Sequence, residues 1–258
     1  MCIAVFRWIP DTETPLLLAA NRDEHFERPT RAMHWWPKSN VLAGRDVKAD
    51  GAWLGVTRKG RFALITNIRN PVLRKTGAPS RGEIVRRYLE EQRSADEFVA
   101  ELAKVAASYE GFNLLCGSVG ANEHALWFLN SSDAIPRLLN AGIYALSNAS
   151  IDTPWPKIMR IKAGFRHTLA ERDLAAQKER LFRLLANTTQ VADRDLPQTG
   201  VPLDWERKLS SIAVRREGYG TRASTVMRLG NVQADITEIN HNEDSTPGER
   251  NDFTFEIQ

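Results

Sequence analysis

The runs Cys2–Trp8, Leu16–Ala20, Ala52–Val56 and Phe62–Thr66 are apolar almost without interruption. A strand sends successive side chains to opposite faces, so a run that does not alternate leaves no face for water. A chain built on such strands must cover its sheet on both sides. Pro10-Asp11 separates the first two runs and predicts a hairpin, and Arg58-Lys59-Gly60-Arg61 joins the second two as a loop.

Two helices are expected next. Ser80 with Glu83 and Ser94 with Glu97 have capping-box spacing, followed by Ile84, Tyr88 and Leu89, and by Phe98, Leu102 and Val105. Strands are expected at Asn113–Val119, His124–Leu129 and Gly142–Leu146, and a helical region from about Pro156 to Asn187. Ser224–Leu229 and Val232–Ile239 flank Gly230-Asn231, and Phe253–Ile257 closes the sheet. Val232, Ala234 and Ile236 alternate with Gln233, Asp235 and Thr237, as in a sheet with one wet face. Val191–Leu203, with Pro197 and Pro202, reads as a surface loop. This order is not the alternation of a parallel α/β fold. It predicts an α+β chain, two antiparallel sheets stacked between helical layers, as a single domain over residues 1–258.

Several function classes fall away. The net charge is +3 over 258 residues and no nucleic-acid motif accompanies it. The two cysteines, Cys2 and Cys116, make neither a disulfide framework nor a metal site. No segment reaches the length of an apolar membrane span, and the N-terminal run is broken by Arg7, Pro10, Asp11 and Glu13, unlike a signal peptide. A soluble cytoplasmic protein is the expectation.

Cys2 directly follows Met1, and its small side chain permits removal of that methionine. The exposed residue would then carry an amine of pKa ~7.7–8.0 beside a thiol of ~8.5, so one residue would supply base and nucleophile. The alternative reading is a small buried hydrophobe in a first strand. Asn21-Arg22-Asp23-Glu24 follows Leu16–Ala20 at once. If the first two strands pair as a hairpin, Asn21 and Asp23 return to Cys2, where a carboxylate could orient the amine.

Met1-Cys2, Asn21-Arg22-Asp23-Glu24 and Arg28-Pro29-Thr30 resemble the NRDE-motif family, the homologues of transport and Golgi organisation protein 2. So do Ala43-Gly44-Arg45-Asp46, Gly51–Val56, Gly60–Asn67, Gly111–Leu114, Leu146-Ser147-Asn148 with Trp155-Pro156-Lys157, and Tyr219-Gly220-Thr221-Arg222. That family is similar to the N-terminal-nucleophile hydrolases of the choloylglycine and penicillin-V acylase branch. The resemblance implies a four-layer αββα sandwich with Cys2 as nucleophile. It further implies that Asp23 orients the amine, that Asn21 holds Cys2, that Asn148 donates to the oxyanion, and that Arg222 pairs with Asp23 or substrate. Ala20 stands where the branch has an arginine, and Arg22 falls on the same strand face if the strand continues.

Arg22, Arg28, Arg45 and Arg69, with Asn67, are the ligand-binding candidates, because arginine holds carboxylate or phosphate in a bidentate fork. Two functions stay open. One is a cysteine hydrolase of non-peptide amide bonds, acting on an acidic or acyl-bearing small molecule and needing no cofactor. The other is a carrier of haem, lipid or acyl-CoA in the same cleft, serving haem trafficking or lipid homeostasis, with His25, His34 or the Cys2 thiolate as candidate iron ligands.

Overall fold

Among the residues described by the computed structural model, 2–73, 75–120 and 123–258, the strands form two antiparallel sheets. The elements run β1 Cys2–Trp8, β2 Leu16–His25, β3 Thr30–Trp35, β4 Val41–Asp46, β5 Leu54–Thr57, β6 Arg61–Asn67, α1 Arg81–Glu90 and α2 Ala95–Val105. They continue with β7 Phe112–Gly120, β8 Glu123–Asn130, β9 Arg137–Leu138, β10 Gly142–Leu146, α3 Pro156–Thr168, α4 Leu174–Leu185 and α5 Leu203–Leu209. The chain ends with β11 Arg215–Arg216, β12 Tyr219–Leu229, β13 Gln233–His241 and β14 Pro247–Glu256. One sheet has the order β10-β1-β2-β12-β13-β14, with β11 on β12; the other runs β3 to β9 in chain order.

Two-sided burial explains the unbroken apolar runs. Ala4, Phe6, Trp8, Leu16 and Leu18 of the first sheet meet Leu54, Val56, Phe62, Leu64 and Leu115 of the second in an inter-sheet core. On the outer face, Ile3, Val5, Leu17 and Ala19 pack against Ile158, Ile161, Phe165 and Leu181 of α3 and α4. Ala63, Leu114 and Cys116 of the second sheet pack against Ile84, Val85, Tyr88 and Phe98 of α1 and α2. The result is the four-layer αββα sandwich.

A chain of buried polar groups crosses between the sheets at the Cys2 end. Asn130 Nδ2 donates to Asn113 Oδ1 at 2.7 Å, Asn113 Nδ2 to Thr66 Oγ1 at 3.1 Å, and Thr66 Oγ1 to the Ser147 carbonyl at 2.6 Å. Ser147 Oγ then donates to the Cys2 carbonyl at 2.8 Å. A fully bonded buried network fixes geometry because every broken link strands a polar group away from water. Elsewhere Glu238 Oε1 of β13 accepts the Met33 N–H of the edge strand β3 at 2.7 Å and ties the two sheets together.

The structure departs from the sequence expectations in several places, among them the unanticipated helix α5 and Val105, which is exposed and not packed with Phe98 and Leu102. β3 and β4 are two additional strands, one half-exposed and one holding Gly44. β2 runs on to His25, through the polar motif. Ser80 and Ser94 occupy the N-cap positions of α1 and α2, but neither side chain bonds the helix. Val232 lies outside β13 and is exposed, while Ala234 and Ile236 are buried as expected.

Candidate active site

Strand pairing decides what faces Cys2. In the β1–β2 ladder Cys2 is opposite Arg22, and Ile3 is opposite Asn21. Because β2 stays extended, Arg22 shares the inter-sheet face with Ala20 and Cys2, while Asn21 and Asp23 share the face turned towards α3 and α4. The Asp23 backbone N–H nevertheless hydrogen-bonds the Cys2 thiol.

Cys2 borders a cavity of about 360 Å³ together with Arg22, Asp23, Arg28, Arg45 and Asn67. Its apolar wall is Ala52, Trp53, Ile65 and Pro79, and Arg81 at the start of α1 completes the rim. Gly51 and Gly82 seat α1 against this wall: a Cβ on Gly51 would lie 2.5 Å from the Gly82 carbonyl carbon. The cations are partly matched. Arg28 Nε is 2.7 Å from Asp46 Oδ2, Arg81 Nη2 is 3.2 Å from Glu110 Oε2, and Arg22 Nη2 is 3.9 Å from Glu24 Oε2.

The remaining candidates lie around the cavity. Among the described residues its lining does not include Asn21, Asn148, Arg69 or Arg222, nor His25 or His34. Asn21 Nδ2 donates to the Leu185 and Ile212 carbonyls at 2.9 and 3.1 Å, and its Oδ1 accepts from Ser224 Oγ at 2.7 Å. It ties β2 to the end of α4 and does not reach towards the thiol. Asn148 Nδ2 donates to the Asn67 carbonyl at 2.9 Å, beside the Ser147 that holds Cys2. Arg222 donates to the His25 and Arg28 carbonyls and to Thr30 Oγ1. The Asp23 carboxylate accepts its bond from the neighbouring Thr221 Oγ1 at 2.7 Å.

A family profile described as transport and Golgi organisation 2 matches residues 1–241. The chain belongs to that family. It is 32% identical over 244 residues to the Bos taurus transport and Golgi organization protein 2 homolog, covering 88% of each chain. The Homo sapiens homolog is 31% identical over the same length, with 88% of each covered. The Drosophila melanogaster protein is 28% identical over 233 residues, with 82% of this chain and 81% of that one covered. Among solved structures, a variant of the Clostridium perfringens conjugated bile acid hydrolase aligns over 99% of this chain and 98% of that one, with TM-score 0.48 and 12% identity. The Caenorhabditis elegans ortholog of N-acylethanolamine-hydrolyzing acid amidase aligns over 88% and 92%, with TM-score 0.44 and 11% identity.

In this member of the transport and Golgi organisation 2 family, a buried charged cluster backs the cysteine. Arg69 Nη1 and Glu206 Oε2 are 2.8 Å apart, both nearly inaccessible, with the Arg69 guanidinium 4.9 Å from the Trp155 ring centre. Lys157, the second residue of α3, is only 3% exposed. Burial, reinforced by Arg69, brings its amine down to about 7, against the opposing pull of Asp23, Cys2 and Glu206. Burial pushes the Asp23 carboxyl up, opposed in part by the Thr221 hydroxyl, Lys157 and Arg69. Burial likewise pushes the Cys2 thiol up, with Arg22 and the Asp23 N–H opposing.

Sequence reasoning missed Lys157, Thr221, Glu206 and Arg81 as site residues. A signal for Lys157 was present: after Pro156 at the first helical position it sits where the helix dipole disfavours a cation. Among the described residues there is no cluster able to hold a metal ion, and no helix is long and apolar enough to cross a membrane.

Proposed function

We propose that this chain is a hydrolase of non-peptide amide bonds whose nucleophile is the Cys2 thiol. The observation that carries the reading is the placement of Cys2: it begins an inner strand and opens onto a cavity that offers both arginines and an apolar wall. Such a cavity suits an acyl-bearing small molecule with an acidic group. Met1 lies outside the described residues, and the reading requires a chain that starts at Cys2.

In that chain the α-amine takes the thiol proton as sulfur attacks the amide carbon. The tetrahedral oxyanion collapses, the C–N bond breaks, and the amine returns the proton to the leaving nitrogen. Water then attacks the thioester, again with the amine as base, releasing the acid and restoring the thiol. Asn148, whose amide donates to the Asn67 carbonyl, is proposed to serve the oxyanion through Asn67, the donor that lines the cavity. Asp23 orients the amine, Asn21 acts indirectly by fixing β2, and Arg222 holds the Arg28 turn. Arg22, Arg28, Arg45 and Asn67 meet the ligand, and Arg69 supports them from behind. No cofactor enters this chemistry, and the cytoplasm is the proposed location.

Intact-mass analysis tests the reading. A chain lacking Met1 is incubated with N-acyl amides carrying a carboxylate, then quenched in acid. A thioester on wild-type Cys2 that is absent from Cys2→Ala, together with product release, is expected. No adduct and no turnover across the panel overturns it.

One observation favours a second reading. Burial holds the thiol in its protonated form, which disfavours attack, while the arginines and apolar wall of the cavity suit an acidic amphipathic ligand. The same cavity would then carry haem, a lipid or an acyl-CoA. With no histidine in the described lining, Cys2 is the iron ligand that cavity offers to haem, and it would release its proton on binding. Stoichiometric binding with Met1 retained and no turnover is the outcome this reading expects.

A further inference from the structure

We propose that Lys157 sets the protonation of the N-terminal cysteine by competing with its amine for the negative charge of Asp23. This deepens the hydrolase reading and rests on its requirement for a chain that begins at Cys2.

Lys157 lies at the second position of α3, behind β1 and β2. The charged and titratable groups facing it are Asp23 from β2, Cys2 from β1, Glu206 from α5 and Arg69 from the segment after β6. Tyr219 of β12 adds a neutral phenol beside Asp23, its Oη donating to the Asp23 carbonyl at 3.3 Å. Arg22 and Glu24, on either side of Asp23, form their own pair. Glu206 is engaged by Arg69 at 2.8 Å. Asp23, which Arg69 also faces, lies on the side of β2 turned towards α3 and beside Cys2, so its charge acts on two amines, Lys157 Nζ and the amine of residue 2.

Three features oppose a full charge on both amines. The site is dry, Arg69 is already a cation within it, and the N-terminal end of α3 presents its positive pole. Among the described residues Lys157 makes no salt bridge or hydrogen bond, and its ammonium has only the Trp155 ring at 5.8 Å. Its effect on the site is thus exerted through its field. A proton on Lys157 drives one off the cysteine amine, which leaves the free base that the attack needs. The two amines titrate as a unit with two macroscopic steps.

Formaldehyde tests this without any amide substrate, because it condenses with the free amine and thiol of an N-terminal cysteine and loses water, closing a thiazolidine seen by intact mass. The chain is released at Cys2 by proteolysis of an N-terminal fusion, so the test does not depend on natural processing. The rate is followed from pH 5 to 9 for wild type, Lys157→Met and Lys157→Arg, each checked for native circular dichroism. The midpoint should rise by about one pH unit in Lys157→Met, the size expected for unit charges several Å apart in a protein interior. In Lys157→Arg it should fall below wild type, because arginine cannot give up its proton. Equal midpoints in all three proteins, or a Lys157→Arg profile that follows Lys157→Met, overturns the proposal. Failure of amide hydrolysis with the ordered midpoints intact would instead remove the hydrolase reading and leave the coupling standing.

Discussion

Cys2 pairs across the β1–β2 ladder with Arg22, so thiol and guanidinium leave the sheet on the same face. The residue that the hairpin brings to the sulfur is the arginine of the polar motif, and the carboxylate of Asp23 works from the opposite face. Arg22 thereby occupies the face position that Ala20 leaves without charge.

The first prediction follows from that pairing. Arg22 pulls the Cys2 thiol down against the effect of burial. Arg22→Met should slow alkylation of Cys2 by iodoacetamide at pH 8 by about three- to tenfold, the effect of half to one pH unit in the thiol. Arg22→Lys should recover most of the rate. An unchanged rate in Arg22→Met would mean that the guanidinium does not act on the sulfur.

Asn113 holds the middle of the polar chain between the sheets. Its amide donates to Thr66 Oγ1 at 3.1 Å and to the Ala149 carbonyl at 2.8 Å, and accepts from Asn130 at 2.7 Å. Truncation strands several buried groups at about 1–3 kcal/mol each. Asn113→Ala should lower unfolding free energy by about 3 kcal/mol or more in urea titration. It should also raise the reactivity of Cys2 by loosening the Thr66–Ser147–Cys2 link. A loss below 1 kcal/mol would show the network to be expendable.

How much of this was legible in the sequence depends on which force decides each feature. The two covered sheets follow from the apolar runs, because burial on both faces writes itself into consecutive residues. β3 escaped because its half-exposed residues Thr30, Arg31 and His34 carry no such run, and β4 because it is short and holds Gly44. The nearness of the polar motif to Cys2 was readable from the hairpin. Which motif residue faces the sulfur depends on register, where one step reverses every side chain. For Lys157 the sequence holds only its unfavourable place after Pro156 at a helix start, and its burial shows once α3 closes over it. Asn21 and Arg222 reach their partners through contacts more than 160 residues apart in sequence, |i−j| being 164 and 194 for the Leu185 and Arg28 carbonyls. No local pattern encodes those.

The Arg69–Glu206 pair gives a stability prediction. Both side chains are almost fully buried. Removing one partner leaves the other charge stranded, a loss of about 3–5 kcal/mol, whereas replacing both with apolar residues is far milder. Arg69→Met should therefore be strongly destabilised in urea, and Arg69→Met/Glu206→Leu should recover at least half of the loss. Additive losses in the double variant would contradict a buried, mutually dependent pair.

The last prediction concerns pH and the same cluster. Folding brings the Lys157 amine from its ordinary range near 10.4 down to about 7, chiefly through burial. Between those values the unfolded chain binds a proton at this residue that the folded chain does not. Stability therefore rises with pH in that window, by up to about 1.4 kcal/mol per pH unit, and the gain is lost as pH falls towards 7. Lys157→Met has no such group. Its other titrating residues are those of wild type, so the difference between the two proteins isolates the lysine. Urea unfolding at pH 7, 8 and 9 should show wild type gaining steadily on Lys157→Met. A constant difference across that range would mean that the folded protein keeps Lys157 charged, and that the buried cluster tolerates both cations at once.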